Sequence, residues 1–202
     1  MSLKTRLLVA HGIMGSKPLS RLLCYASKYF NVEAVILLGN TISPSVVRWL
    51  SHTCGLKVFG VLGRHDSAAT ASALSSINGL IDCKMVTFKG VTLYGLGLSG
   101  CTGPLPAGHV DVVVSSLPGL KYGCCKPRSD VVDHYVDALR PRLVVTGLCN
   151  KPCSAGSVFS PGSLALGYIG LLDLTEDGHV VRAVNVHTYC QLTSPQPLKT
   201  PL

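Results

Sequence analysis

Arg64, Lys121, Lys126, Arg128 and Lys151 have the plainest chemical use in this chain, because a guanidinium can hold a phosphate through two parallel hydrogen bonds and lysines add point charge. All five sit in glycine- or proline-containing stretches rather than in apolar runs. Taken together they make an anion-binding edge. Taken separately they are solvated lysines and one structural arginine, and both readings stand at this point. Cysteine supplies the second chemistry. There are nine, an odd number that cannot all pair within one molecule. No C-x-x-C occurs and Cys124 adjoins Cys125, so neither a zinc ribbon nor a thioredoxin-type motif is written here. Cys24, Cys54, Cys83 and Cys190 stand in apolar or helical contexts and are expected to be buried small hydrophobes. Cys101, Cys124, Cys125, Cys149 and Cys153 fall in loops, from which a soft-metal site is a minor alternative; disulfides in the cell of a hyperthermophile are another.

Such residues need a scaffold, and the stretch 143–162, LVVTGLCNKPCSAGSVFSPG, shows its character: an apolar strand, a turn over 147–152, and a second short run behind it. Ligands bind at the carboxyl ends of strands in open α/β sheets, which makes the 147–152 loop a site by position. Upstream, apolar runs at 7–10, 34–38 and 57–62 each end in a polar, glycine-bearing turn and lead into a helical pattern, over 18–29, from Ser43 or Ser45 to Cys54, and over 68–76. Three strand-loop-helix units predict a parallel sheet with right-handed crossovers and its loops along one edge. Runs at 84–88 and 91–96 flank Lys89-Gly90, a hairpin signal. A long irregular stretch over 97–108 follows, of a kind that is usually functional or mobile. Strands at 110–114 and 142–146 bracket a basic loop and a helix over 129–139, and 168–174 with 179–187 form a closing hairpin over Glu176-Asp177-Gly178.

The expected organisation is one domain over 1–190 and a loosely held proline-rich tail over 191–202. With 47% hydrophobic and 14% charged residues the chain is expected to be globular. No apolar run reaches the roughly 18 residues of a membrane span, and the run at 7–10 is short of a signal-peptide core of about 7 to 15. The expected location is cytoplasmic, with no membrane partner. A formal charge of +8 favours an acidic protein surface, nucleic acid or a phosphorylated ligand as partner. Nucleic acid lacks a stacking platform, because Trp49 and the tyrosines are scattered.

The five strand-to-loop junctions, in order, resemble the five motifs of the calcineurin-like metallophosphoesterases. V-A-H-G-I-M-G-S is similar to that family's V-x-S-D-x-H-G-N, with Gly12 and Met14 at the ligand aspartate and histidine. L-L-G-N-T-I puts Asn40 at the bridging aspartate, and G-R-H-D-S resembles G-N-H-D with Arg64 at the ligand asparagine and His65 and Asp66 kept. V-V-S-S-L-P puts Ser116 at a histidine. T-G-L-C-N-K-P, followed by S-P-G-S, resembles the last motif with Leu148 and Asn150 at its two histidines. The match spans about residues 7–174.

What the resemblance implies is a four-layer α/β/β/α sandwich of metallophosphoesterase type with two mixed sheets. It implies also a degenerate site. A binuclear centre needs hard oxygen and imidazole ligands holding ions about 3.5–4 Å apart, and Gly12, Met14, Asn40, Arg64, Ser116, Leu148 and Asn150 offer few. The expectation is a pseudoenzyme with no metal and no cofactor, acting as a binding or assembly module for a protein partner, as similar domains do in retromer and in small subunits of replicative polymerases. The alternative is a divergent phosphoesterase in which His65, which in the family donates a proton or hydrogen bond to the phosphoryl group, works with Asp66 and an atypical metal site. Otherwise Asp66 is expected to orient His65 and tie its loop. A third reading is a sensor that binds a nucleotide or phosphate at the Arg64 edge without turnover. His11, beside the lost aspartate position, is expected to hydrogen-bond backbone.

Overall fold

A computed structural model describes residues 3–187 apart from Asp177. Cys190, the 191–202 tail and the middle residue of the 176–178 turn lie outside the described residues. The elements run β1 (Leu3–Ala10), α1 (Lys17–Tyr29), β2 (Ala34–Leu38), α2 (Pro44–Arg48), β3 (Lys57–Val61), α3 (Ala68–Ser76), β4 (Met85–Phe88), β5 (Val91–Leu96), β6 (Val112–Ser115), α4 (Asp130–Leu139), β7 (Leu143–Thr146), β8 (Cys153–Ala155), β9 (Val158–Ser160), β10 (Tyr168–Thr175) and β11 (His179–Asn185).

The strands form two mixed sheets, ordered β11-β10-β1-β2-β3 and β4-β5-β6-β7-β9-β8. In the first, β1, β2 and β3 are parallel, as the two crossovers through α1 and α2 require, and β10 returns antiparallel to β1. In the second, β5, β6, β7 and β9 are parallel, and the β4-β5 and β8-β9 hairpins close the edges. Strand periodicity of two sorts each side chain to one of three apolar layers. Leu7 and Val9 of β1, Ala34, Ile36 and Leu38 of β2, and Leu143 and Val145 of β7 fill the layer between the sheets. Their neighbours Leu8, Ala10, Val35 and Leu37 face out under α1, α2 and α3. Val113 and Val144 face the opposite way, under Val132, Tyr135 and Val136 of α4. The result is helices, sheet, sheet and helix.

Local chemistry fixes the helix starts. Ser16 caps α1 by accepting from the Leu19 amide, with Pro18 in the first turn, and Ser67 caps α3 by accepting from the Thr70 amide. One helix differs from expectation. The pattern from Ser43 to Cys54 is α-helical only to Arg48, then widens into a π-turn over Trp49–Thr53 in which the Cys54 amide reaches back to the Trp49 carbonyl at 3.1 Å. The wider turn delivers Cys54 to Cys24, to which it is disulfide-bonded.

The cysteines correct the sequence reading. Cys24 and Cys54 are half-buried, Cys83 is exposed, and all three are oxidised, in Cys24–Cys54 and Cys83–Cys101; Cys124–Cys153 and Cys125–Cys149 complete the set among the described residues. Partners 18 to 30 residues apart are brought together only by the folded topology, so neighbouring residues could not announce them. Cys101 in particular ties the 97–108 loop to the end of α3's sheet connection and takes no part in a cluster with Cys149.

Candidate functional site: a cleft across both sheets

Side chains from the carboxyl ends of β1, β2, β3, β5, β6 and β7 line one cleft of about 470 Å³. The first sheet supplies His11, Asn40, Gly63, Arg64 and His65; the second supplies Leu98, Ser116, Leu117 and Leu148, with Pro127 and Arg128 from the loop before α4. The positional argument from strand ends thus finds its cleft.

The loops are held by backbone, and two glycines allow their approach. A Cβ on Gly63 would meet the Asn40 amide nitrogen at 2.6 Å, and one on Gly147 would meet the Leu38 carbonyl at 2.5 Å, His11 at 2.9 Å and the Ser116 carbonyl at 2.9 Å. Gly147 is therefore where the ends of β1, β2, β6 and β7 converge. Three residues at the family's ligand positions, Met14, Asn40 and Leu148, hold left-handed backbone with φ of 55°, 53° and 64°. Such conformations cost a non-glycine residue and gather at functional sites.

Asn40 is the crosspiece. Its side-chain oxygen accepts from the His65 amide at 3.2 Å, and its nitrogen lies 3.4 Å from His11 Nε2. Asp66 accepts from the Ile42 amide at 2.6 Å and the Gly63 amide at 2.8 Å. It ties the second and third loops together, and both its oxygens are used on backbone instead of orienting His65. His11 also departs from expectation: its ring meets a side chain, Asn40, and its Nδ1 is buried with no partner among the described residues. Burial pushes the imidazole down to about 4, with the Asp66 charge pulling weakly the other way, so the ring is neutral at pH 7. Ser116 Oγ is likewise buried and unpartnered. An orphaned buried polar atom calls for a water, an ion or a ligand group.

The basic residues separate into two groups. Arg64 is exposed on the rim and makes no hydrogen bond or ion pair among the described residues. Arg128 also lines the cleft, but its guanidinium is partly spent on the Cys125 and Leu120 carbonyls, each at 3.0 Å. Lys121 turns away to Asp137 at 3.0 Å and lies over the Tyr122 ring. Lys126 and Lys151 are exposed and do not line the cleft. Of five expected anion-binding residues, geometry gathers Arg64 and Arg128. Of the seven ligand positions it gathers Asn40, Arg64, Ser116 and Leu148; Gly12, Met14 and Asn150 stay outside the lining, and Met14 is half exposed to solvent. Sequence reasoning missed Leu98 and Pro127, which sit in irregular loops without periodicity, and Leu98 is placed by donating its amide to the Leu62 carbonyl.

No family model matches the sequence, and no curated protein matches it. Solved structures do resemble the fold. TT1561 of Thermus thermophilus superposes with a TM-score of 0.70 at 17% identity, over 92% of this chain and all of that one. An archaeal phosphodiesterase gives 0.58 at 14% over 89% and 99%, and the calcineurin-like phosphoesterase YfkN of Bacillus subtilis gives 0.53 at 11% over 92% and 91%. The chain has a metallophosphoesterase-type fold, and its cleft occupies the loop edge on which the five resembling motifs fall.

Proposed function

We propose that this chain is a binding module that has given up hydrolysis and holds a phosphate-bearing ligand, carried by a protein partner or free, in the cleft between Arg64 and Ser116. The observation that carries this reading is the make-up of the wall among the described residues: a guanidinium on Arg64 with no partner there, unpartnered buried polar atoms on His11 and Ser116, and no carboxylate in the lining. A binuclear metal centre does not fit that donor set. Two adjacent divalent ions need anionic oxygen to offset their repulsion, and Asp66, on the loop that carries Arg64 and His65, has both oxygens on backbone amides. An anion, by contrast, finds Arg64 for charge and the Ser116 hydroxyl as a donor, and neutral His11 can donate one proton from its free nitrogen.

The reading is tested by thermal unfolding with inorganic phosphate and with nucleotides, in parallel with a phosphodiesterase and phosphatase assay in manganese. A ligand at 100 times its Kd stabilises by about 2.7 kcal/mol, or roughly 5–10 °C for a chain of this size. Arg64→Ala should weaken binding about 10- to 100-fold, the worth of a charged hydrogen bond. No stabilisation by any phosphorylated compound would sink the binding role. Manganese-dependent turnover that His65→Ala abolishes would establish the alternative, a divergent phosphoesterase working through His65.

A further inference from the structure

Cys124, Cys125, Cys149 and Cys153 come together where loop 119–129 crosses the loop after β7. The sulfurs of Cys124, Cys149 and Cys153 all lie within 4.8 Å of one another, the one such gathering of potential metal ligands among the described residues. The Cys125 sulfur falls outside that mutual distance and is tied to the group as the disulfide partner of Cys149, while Cys124 is bonded to Cys153. Two disulfides that approach each other at Cys149 and Cys153 are a poor use of four cysteines if the aim is only to staple two loops, since one would do.

We propose that in the thiol form these four cysteines hold one zinc ion as a closed tetrathiolate centre. Zinc bonds thiolate at about 2.3 Å, which puts the corners of its sulfur tetrahedron roughly 3.8 Å apart, and Cys149 and Cys153 already stand at 3.7 Å. The adjacent pair Cys124 and Cys125 faces this opposing pair with both side chains, as the crossed bonding shows. Cys149 is buried and the other three are half-buried, so the ion would be shielded with no position open to water, as in structural zinc sites. Four thiolates around one divalent cation leave a charge of −2. Lys126 and Lys151, which the cleft does not use, sit on the same two loops and offset it.

Each disulfide takes two electrons and two protons from a dithiol, which leaves as its own cyclic disulfide; zinc then displaces four thiol protons and no electrons move. Either form pins Leu148 of the cleft to the loop that carries Arg128.

The protein reduced with a dithiol, then exchanged anaerobically into zinc or cobalt, should bind one ion per chain, and the cobalt form should show sulfur-to-metal charge-transfer absorption. Cys149→Ser and Cys153→Ser should each weaken binding at least 10-fold, whereas Cys83→Ser should leave it unchanged. Near-ultraviolet circular dichroism reports whether each protein is folded. A folded, reduced protein that takes up no metal would overturn the proposal. So would binding that survives both serine variants, equal binding by the oxidised protein, or unfolding on reduction that zinc does not reverse.

Discussion

His11 is the residue whose protonation is most tightly coupled to folding. Its value of about 4 lies below that of an unfolded histidine, about 6.5, so between those limits the unfolded chain binds more protons than the folded one. The stability this group contributes is present above pH 6.5 and is lost as pH falls toward 4, a change of about 3 kcal/mol by linkage. Asp82 acts in the opposite sense. Burial, opposed by the Leu62 amide, raises its carboxyl to about 6, so stability falls as pH rises from about 4 through 6. The two partly cancel in acid. Guanidinium titrations at pH 4.5, 5.5 and 7.5 should therefore show a shallow pH dependence in the native sequence, stability that rises toward pH 4.5 in His11→Asn, where Asp82 acts alone, and a steeper acid loss in Asp82→Asn, which should also be the more stable protein at pH 7.5. If His11→Asn keeps the native acid limb, the imidazole is not buried as described.

At the scale of elements, the cleft depends on glycines that let loops touch. Gly147→Ala would push a methyl into two carbonyls and the His11 ring, and backbone cannot yield as a flexible side chain would. We expect a loss of about 1–3 kcal/mol, a fall in Tm of several degrees, and weaker ligand binding, because Ser116 and His11 must move. Gly103→Ala, with nothing within 4 Å, is the control and should shift stability by under about 0.5 kcal/mol. Equal melting of both variants would remove Gly147 from its role. The strands of this scaffold were legible: a run such as Ala34–Leu38 announces itself because a strand buried on both faces must be apolar throughout. The glycine-rich turns gave away the loop edge for the same kind of reason, since tight turns demand φ values that few residues reach. What could not be read was pairing at a distance. Lys121 looked free until Asp137, in the last turn of α4, came into place beside it, and Cys24 looked like core until a π-turn brought Cys54 to it.

For the molecule as a whole, the cleft exists only because two sheets hold a fixed relative position, since Arg64 hangs from the first and Ser116, Leu148 and Arg128 from the second. That position is set in the layer between them, and at Gly170 of β10 the two sheets pack with no room for a side chain. A Cβ there would lie 2.6 Å from Phe159 Cε1, on β9 of the opposite sheet, and 2.6 Å from Val9 Cγ2, on β1 of its own. Gly170→Ala should therefore wedge the sheets and cost about 1–3 kcal/mol as an overpacked core does. Phe159→Leu alone should also destabilise, by opening a cavity. In the double variant the shorter side chain receives the added methyl, so the combined loss should fall short of the sum by about 0.5 kcal/mol or more, the coupling expected of residues in contact. Affinity of the cleft for phosphate should follow the same cycle, weakened by Gly170→Ala and partly restored in the pair, although neither residue touches the ligand. Strict additivity in stability would place the contact elsewhere. Coupling in stability with no echo in binding would mean that the loops hold the cleft independently of the sheets beneath them.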